Sequence, residues 1–128
     1  MDFKNFDTIS AAEKGFTYTF LDWDGNETDV TIDVIGVGSR VFNQAKARID
    51  AAETKAKGRG KPMDDDTSNS LWVDLLAKCT KGWKNVEEDG KEVPFNYDNA
   101  VRMYTAYPPL RNQVLAAIYD IRSMVEGN

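Results

Sequence analysis

Residues 15–35 read GFTYTFLDWDGNETDVTIDVI. Phe16, Tyr18 and Phe20 stand on one parity, and Thr17, Thr19 and Leu21 on the other. Alternation rich in aromatic and β-branched residues predicts a strand. Asp24-Gly25-Asn26 is turn chemistry, because Gly and Asn tolerate positive φ. Val30, Ile32 and Val34 then alternate with Thr31, Asp33 and Ile35, so the stretch predicts a β-hairpin. A lone hairpin is marginal in water and must pack on helices or pair with another strand. The residues before it, with Phe3 and Phe6, are candidates for a third strand or for an arm onto a neighbour.

The chain after the hairpin turns helical. Gly36-Val37-Gly38 breaks the strand, and Ser39 is a plausible N-cap. Val41, Phe42, Ala45, Ile49 and Ala52 recur at helical spacing, predicting a helix to about Ala56. Residues 57–66 hold Gly58, Gly60 and Pro62 and little that is apolar, which predicts a mobile loop. Thr67, Ser68 or Asn69 caps a second helix with the stripe Leu71, Trp72, Leu75, Leu76 and Cys79, ending at Lys81-Gly82. Trp83 to Phe95 is less regular. Glu88-Asp89-Gly90-Lys91 reads as a turn between Val86 and Val93, and Pro94 restricts the segment to an edge ribbon or structured loop. Asn96 caps a short helix through Tyr107. Pro108-Pro109 opens a last helix, with Leu110, Val114, Ile118, Ile121 and Val125 as its stripe, to Gly127. The predicted class is α+β: an N-terminal β-hairpin or small antiparallel meander followed by about four α-helices, mainly helical, in one domain spanning residues 1–128.

Composition narrows the function. The chain has 128 residues, no histidine, one cysteine and a net charge of −5. Without histidine, Ser-His and Cys-His nucleophile systems and most zinc sites are excluded. Cys79 lies on an apolar stripe and reads as a buried small hydrophobe. Glu87, Glu88, Asp89 and Glu92 surround a Gly turn, where carboxylates are solvated rather than tuned for acid–base work. The acids at 22–33 lack calcium-loop spacing, and Gly58-Arg59-Gly60-Lys61 lacks the spacing of a phosphate-binding loop. These residues predict no enzyme, no cofactor and no metal site. No apolar run is long enough to span a bilayer and no signal-peptide pattern opens the chain, so no membrane partner is expected.

Charge is blocked along the chain. Residues 22–33 carry five acids and no base, whereas residues 40–61 carry seven bases against Asp50 and Glu53. Opposite blocks suit self-association, and equally suit plain solvation. The acidic balance argues against a broad nucleic-acid surface. Trp83, Tyr97, Tyr104 and Tyr107 gather around the polar turn and fit either a core or a partner surface.

The second half carries a resemblance. An apolar helix with Leu75 and Leu76 is followed by Gly82-Trp83, Val86, the acidic turn Asp89-Gly90, Val93-Pro94-Phe95, Asn99, Tyr107-Pro108 and Leu110. From Leu71 on, this order resembles the small tail assembly chaperones of long, non-contractile-tailed (siphovirus) bacteriophages. The resemblance implies a non-enzymatic protein of the host bacterial cytoplasm. It would bind and solubilise the tape measure protein, help recruit the major tail tube protein, and be absent from the mature virion. It also implies a longer product made by a programmed −1 ribosomal slip, a frameshift-extended form of the chain as a further partner. Glu126-Gly127-Asn128 can be encoded with the slippery string GGGAAAC. On this reading Trp83, Val86, Phe95, Tyr97, Tyr104, Tyr107 and Leu110 meet partners. Phe3, Phe6, Lys55, Lys57, Arg59 and Lys61 serve self-association into a homo-oligomer. A structural tail or connector protein of the virion, and a nucleic-acid-binding phage regulator using Lys55 to Lys61, stand as alternatives.

Overall fold

The computed structural model describes residues 1–120 and 122. Strands β1 (Phe16–Leu21) and β2 (Glu27–Val34) form the expected antiparallel hairpin, with Phe16 opposite Val34 and Tyr18 opposite Ile32. Their connection is closed by Asp22, whose Oδ1 accepts from the Asp24 and Asn26 amides at 2.9 Å each. Gly25 sits at φ +80°, where a side chain would be strained.

A third strand completes the sheet, and it comes from elsewhere than the sequence suggested. Strand β3 (Thr80–Lys84) pairs antiparallel with β2, Trp83 opposite Ile32, giving the order β1-β2-β3. The preceding helix, α3 (Asp65–Cys79), therefore stops at Cys79, and Lys81-Gly82 lie within the strand rather than capping a helix. The free edge of β2 needs backbone partners, and tertiary pairing overrides the local stop signal. Gly82 stands opposite Asp33 on the outer face, while Trp83 turns its ring to the core side. Phe3 and Phe6 form no strand. They bound a 3-10 turn (Phe3–Phe6), followed by α1 (Thr8–Lys14), a helix too short to show in periodicity. Asp7 caps α1 by accepting from the Ser10 amide at 2.9 Å.

Helix α2 (Arg40–Gly58) begins where expected, with Ser39 Oγ accepting from the Phe42 amide. It runs past Ala56, so Lys57 and Gly58 are helical, and the connection to α3 shrinks to residues 59–64. Asp64, not Thr67, Ser68 or Asn69, caps α3. Its carboxylate accepts from both the amide and the hydroxyl of Thr67. Asp65 and Asp66 fall in the first turn, where the helix dipole favours negative charge.

Beyond β3, the two-residue strands β4 (Glu87–Glu88) and β5 (Lys91–Glu92) make a small ribbon, turned by Asp89 and Gly90 at φ +54° and +76°. Helix α4 (Tyr97–Ala106) is capped by Asn96 and α5 (Pro108–Tyr119) opens on its two prolines, both as expected. Leu110, Val114 and Ile118 of the last stripe are buried. Ile121, Val125 and the predicted end at Gly127 lie outside the described residues.

One core joins these elements. Phe16, Ile32 and Val34 on the inner face of the sheet meet Ile49 of α2, Leu75 and Leu76 of α3, Tyr104 of α4 and Ile118 of α5. The class is α+β and mainly helical. Cys79 is fully buried, and that burial, with the Asp74 charge adding to it, pushes its thiol pKa up to about 12.

Candidate partner-binding groove

The tip of the hairpin and the corner between α4 and α5 enclose an apolar groove of about 390 Å³. Phe20, Leu21, Trp23 and Val30 form one wall; Val86, Met103, Tyr107, Pro109 and Leu110 form the other. The hairpin supplies its wall because a bulge between Thr19 and Leu21 breaks the simple alternation there. Both Phe20 and Leu21 consequently reach the groove. Pro108 and Pro109 open α5 directly after α4, and Leu110 joins Met103 in lining the groove.

Three polar devices hold the walls in place. Gln113 on α5 uses its side-chain amide on the backbone of Leu21, donating to the carbonyl and accepting from the N–H, both at 2.9 Å. The same Gln113 oxygen accepts from the Tyr18 hydroxyl at 2.8 Å. Asn85, at φ +63°, donates from Nδ2 to the Asp29 carbonyl at 2.8 Å and ties the Val86 segment to β2. Glu88 accepts from the Tyr107 hydroxyl and from Arg102, joining the ribbon to the end of α4. The Tyr107 hydrogen bond, then Arg102, holds the Glu88 carboxyl below the usual carboxylate range, and Glu88 pushes the Tyr107 phenol up.

The rim is acidic. Asp22 and Glu87 line the mouth, and Asp24, Glu27 and Asp29 continue the charge along the hairpin tip. Trp23 projects beside them and is 92% exposed.

The residues singled out from sequence divide into three places. Val86, Tyr107 and Leu110 line the groove. Trp83 and Phe95 pack edge to face at 5.1 Å beneath the ribbon, and Trp83 Nε1 donates to the Val93 carbonyl at 2.8 Å. Tyr104 lies against Trp83 and is fully buried, its hydroxyl bonded to Thr80 Oγ1 at 2.7 Å; it is a core residue. Tyr97 stands apart, exposed on α4, donating to Asp74 of α3. Of the self-association set, Phe3 and Phe6 are exposed with rings 5.9 Å apart, and Ile9 adds to that patch. Lys55, Lys57, Arg59 and Lys61 crowd the exposed turn between α2 and α3. Reading the sequence missed Phe20, Leu21, Trp23, Val30, Met103 and Gln113. Trp23 carried a signal, a large aromatic inside an otherwise polar turn. Gln113 carried none.

Among the described residues, no helix is long and apolar enough to cross a membrane, and no cluster of three or more His, Cys, Asp or Glu could hold a metal ion.

A family model described as YdaY prophage protein matches residues 37–126, more than two-thirds of the chain. The chain belongs to the YdaY prophage protein family. It is a phage-derived protein. No curated protein and no solved structure matches it. The part shared with the YdaY family runs from α2 through α5 and includes Val86, Met103, Tyr107 and Leu110, one wall of the groove. The hairpin that forms the other wall precedes residue 37.

Proposed function

We propose that this phage-derived protein is a tail assembly chaperone, a non-enzymatic binding protein that keeps the tape measure protein soluble and helps bring tail tube protein to it. The observation that carries the reading is the apolar groove at the hairpin tip, open to solvent and flanked by a bare tryptophan. Such a surface costs free energy in water unless a partner covers it, and amphipathic helices are the usual occupants of grooves between secondary elements. The phage origin and the order of residues from Leu71 to Leu110 support the same assignment. Self-association through the Phe3, Phe6 and Ile9 patch and the basic α2–α3 turn would present several grooves at once and raise affinity by avidity. The frameshift-extended form would carry the same groove.

The test is co-purification. The tagged chain is expressed in cells making the phage's tail proteins, and what it retains is identified by mass spectrometry. Recovery of the tape measure protein supports the chaperone assignment. A tagged chain that stays in mature tails and brings down only virion proteins would make it a structural component instead.

A further inference from the structure

We propose that the groove takes an amphipathic helix whose apolar stripe is flanked by lysine or arginine; this rests on the partner-binding reading above and specifies the chemistry of the partner segment. Three observations carry it. First, the groove is lined mainly by apolar side chains, and two of its polar ones are already engaged. The Gln113 amide is spent on Leu21 and Tyr18, and the Tyr107 hydroxyl on Glu88. Apolar side chains are what it accepts.

Second, an added strand finds no ladder here. Gln113 already occupies both backbone groups of Leu21, at the end of β1 that borders the groove. The occupant must dock by its side chains, which a helix does with residues at i, i+3, i+4 and i+7.

Third, the rim sets the sign of the flanking charge. Asp22 and Glu87 stand at the mouth, with Asp24, Glu27 and Asp29 behind them. Two of the nearby cations are already engaged. Arg102 pairs with Glu88, and Arg111 lies 3.4 Å from the Tyr104 carbonyl. Complementary charge orients and selects a partner, while like charge repels it. Among the described residues, the basic helix α2 is not free to fill the groove, because it buries Phe42, Ala45 and Ile49 against its own core.

The experiment uses the full chain and two synthetic helical peptides with the same leucine stripe, one flanked by lysines and one by glutamates. Binding is read by tryptophan fluorescence, with Trp23→Phe as the control that loses the signal. The lysine peptide is expected to bind about tenfold or more tighter than the glutamate peptide at low salt, and the gap narrows as salt is raised. Asp22→Asn with Glu87→Gln, both at exposed positions, should shrink the gap while leaving the fold intact. Trp23→Ala should weaken both peptides. Equal binding of the two peptides, or binding indifferent to Asp22 and Glu87, overturns the proposal. So does a Trp23 signal that changes with chain concentration alone, which would seat a second copy in the groove. Tape measure recovery with no peptide binding overturns this inference and leaves the chaperone assignment standing. Peptide binding with no tape measure recovery does the reverse.

Discussion

The side chain of Gln113 meets the backbone of Leu21 as a neighbouring strand would, donating to its carbonyl and accepting from its N–H at 2.9 Å each. β1 is an edge strand, and its end would otherwise leave both groups open. The contact does two things at once. It blunts the edge, and it fixes the hairpin wall of the groove against α5.

Replacing Gln113 should therefore loosen the groove as well as the fold. Gln113→Leu keeps the bulk and leaves two half-buried backbone groups unpaired, at a cost of about 1–3 kcal/mol in urea unfolding. Gln113→Glu keeps the acceptor but cannot donate to the Leu21 carbonyl, and a smaller loss is expected. Amide exchange at Leu21 should speed up in Gln113→Leu, and less in Gln113→Glu, which keeps the acceptor of that N–H. Unchanged exchange would show that the strand end is held by other contacts.

Gly15 is a second non-negotiable position. It sits at φ +78°, and a Cβ there would lie 2.2 Å from the Val34 carbonyl oxygen. The backbone must shift to admit any side chain. Gly15→Ala should cost roughly 2–4 kcal/mol by thermal or urea unfolding, while Gly25→Ala, with open space around it, should cost less.

The buried Thr80–Tyr104 pair predicts an asymmetry. Thr80 Oγ1 donates to the Leu76 carbonyl, so the Tyr104 hydroxyl must be the donor between the two. Tyr104→Phe leaves only an acceptor lone pair unmet and should cost about 1 kcal/mol. Thr80→Val strands a buried hydroxyl donor and removes the bond to Leu76, so about 2–3 kcal/mol is expected. Equal losses in unfolding experiments would mean that water replaces the missing partner.

The Glu88–Tyr107 link has a defined pH window. The Glu88 carboxyl is held low, so its contribution is present above its unfolded pKa and fades as pH falls through the folded value. The Tyr107 phenol is pushed up, so its contribution is present below its unfolded pKa and fades as pH rises through the folded value. The link is therefore complete across the neutral range. In Tyr107→Phe, the Glu88 carboxyl resonance should titrate at higher pH than in the parent chain, because the larger of its two stabilising hydrogen bonds is gone. An unmoved midpoint would assign the shift to Arg102 alone.

Cys79 should be inert in the native protein. A thiol raised to about 12 by burial carries almost no thiolate at neutral pH. Disulfide reagents are expected to label it only at the rate of unfolding, with full labelling in denaturant. Rapid native labelling would mean that α3 opens locally.

Much of this fold is written in short stretches. The hairpin follows from alternation on either side of Asp24-Gly25-Asn26, because a period of two and a turn are local properties. Ser39, Asn96 and Pro108-Pro109 mark helix starts by chemistry that acts within one turn. These readings agree with β1, β2, α2, α4 and α5 as observed. The end of α3 misled, because Lys81-Gly82 obeys the local rule for a helix stop while the open edge of β2 recruits the same residues as a strand.

The groove was beyond such reading. Leu21 and Gln113 are separated by 92 residues, and nothing in the sequence near either names the other. Tyr104 and Tyr107 sit three residues apart on one aromatic-rich segment, yet one is sealed in the core and the other opens on the groove. The sequence by itself determined the strands, caps, turns and charge blocks, since each depends on neighbours along the chain. Tertiary structure alone decided the third strand, the groove and which aromatic faces solvent, since burial depends on what the rest of the molecule packs against.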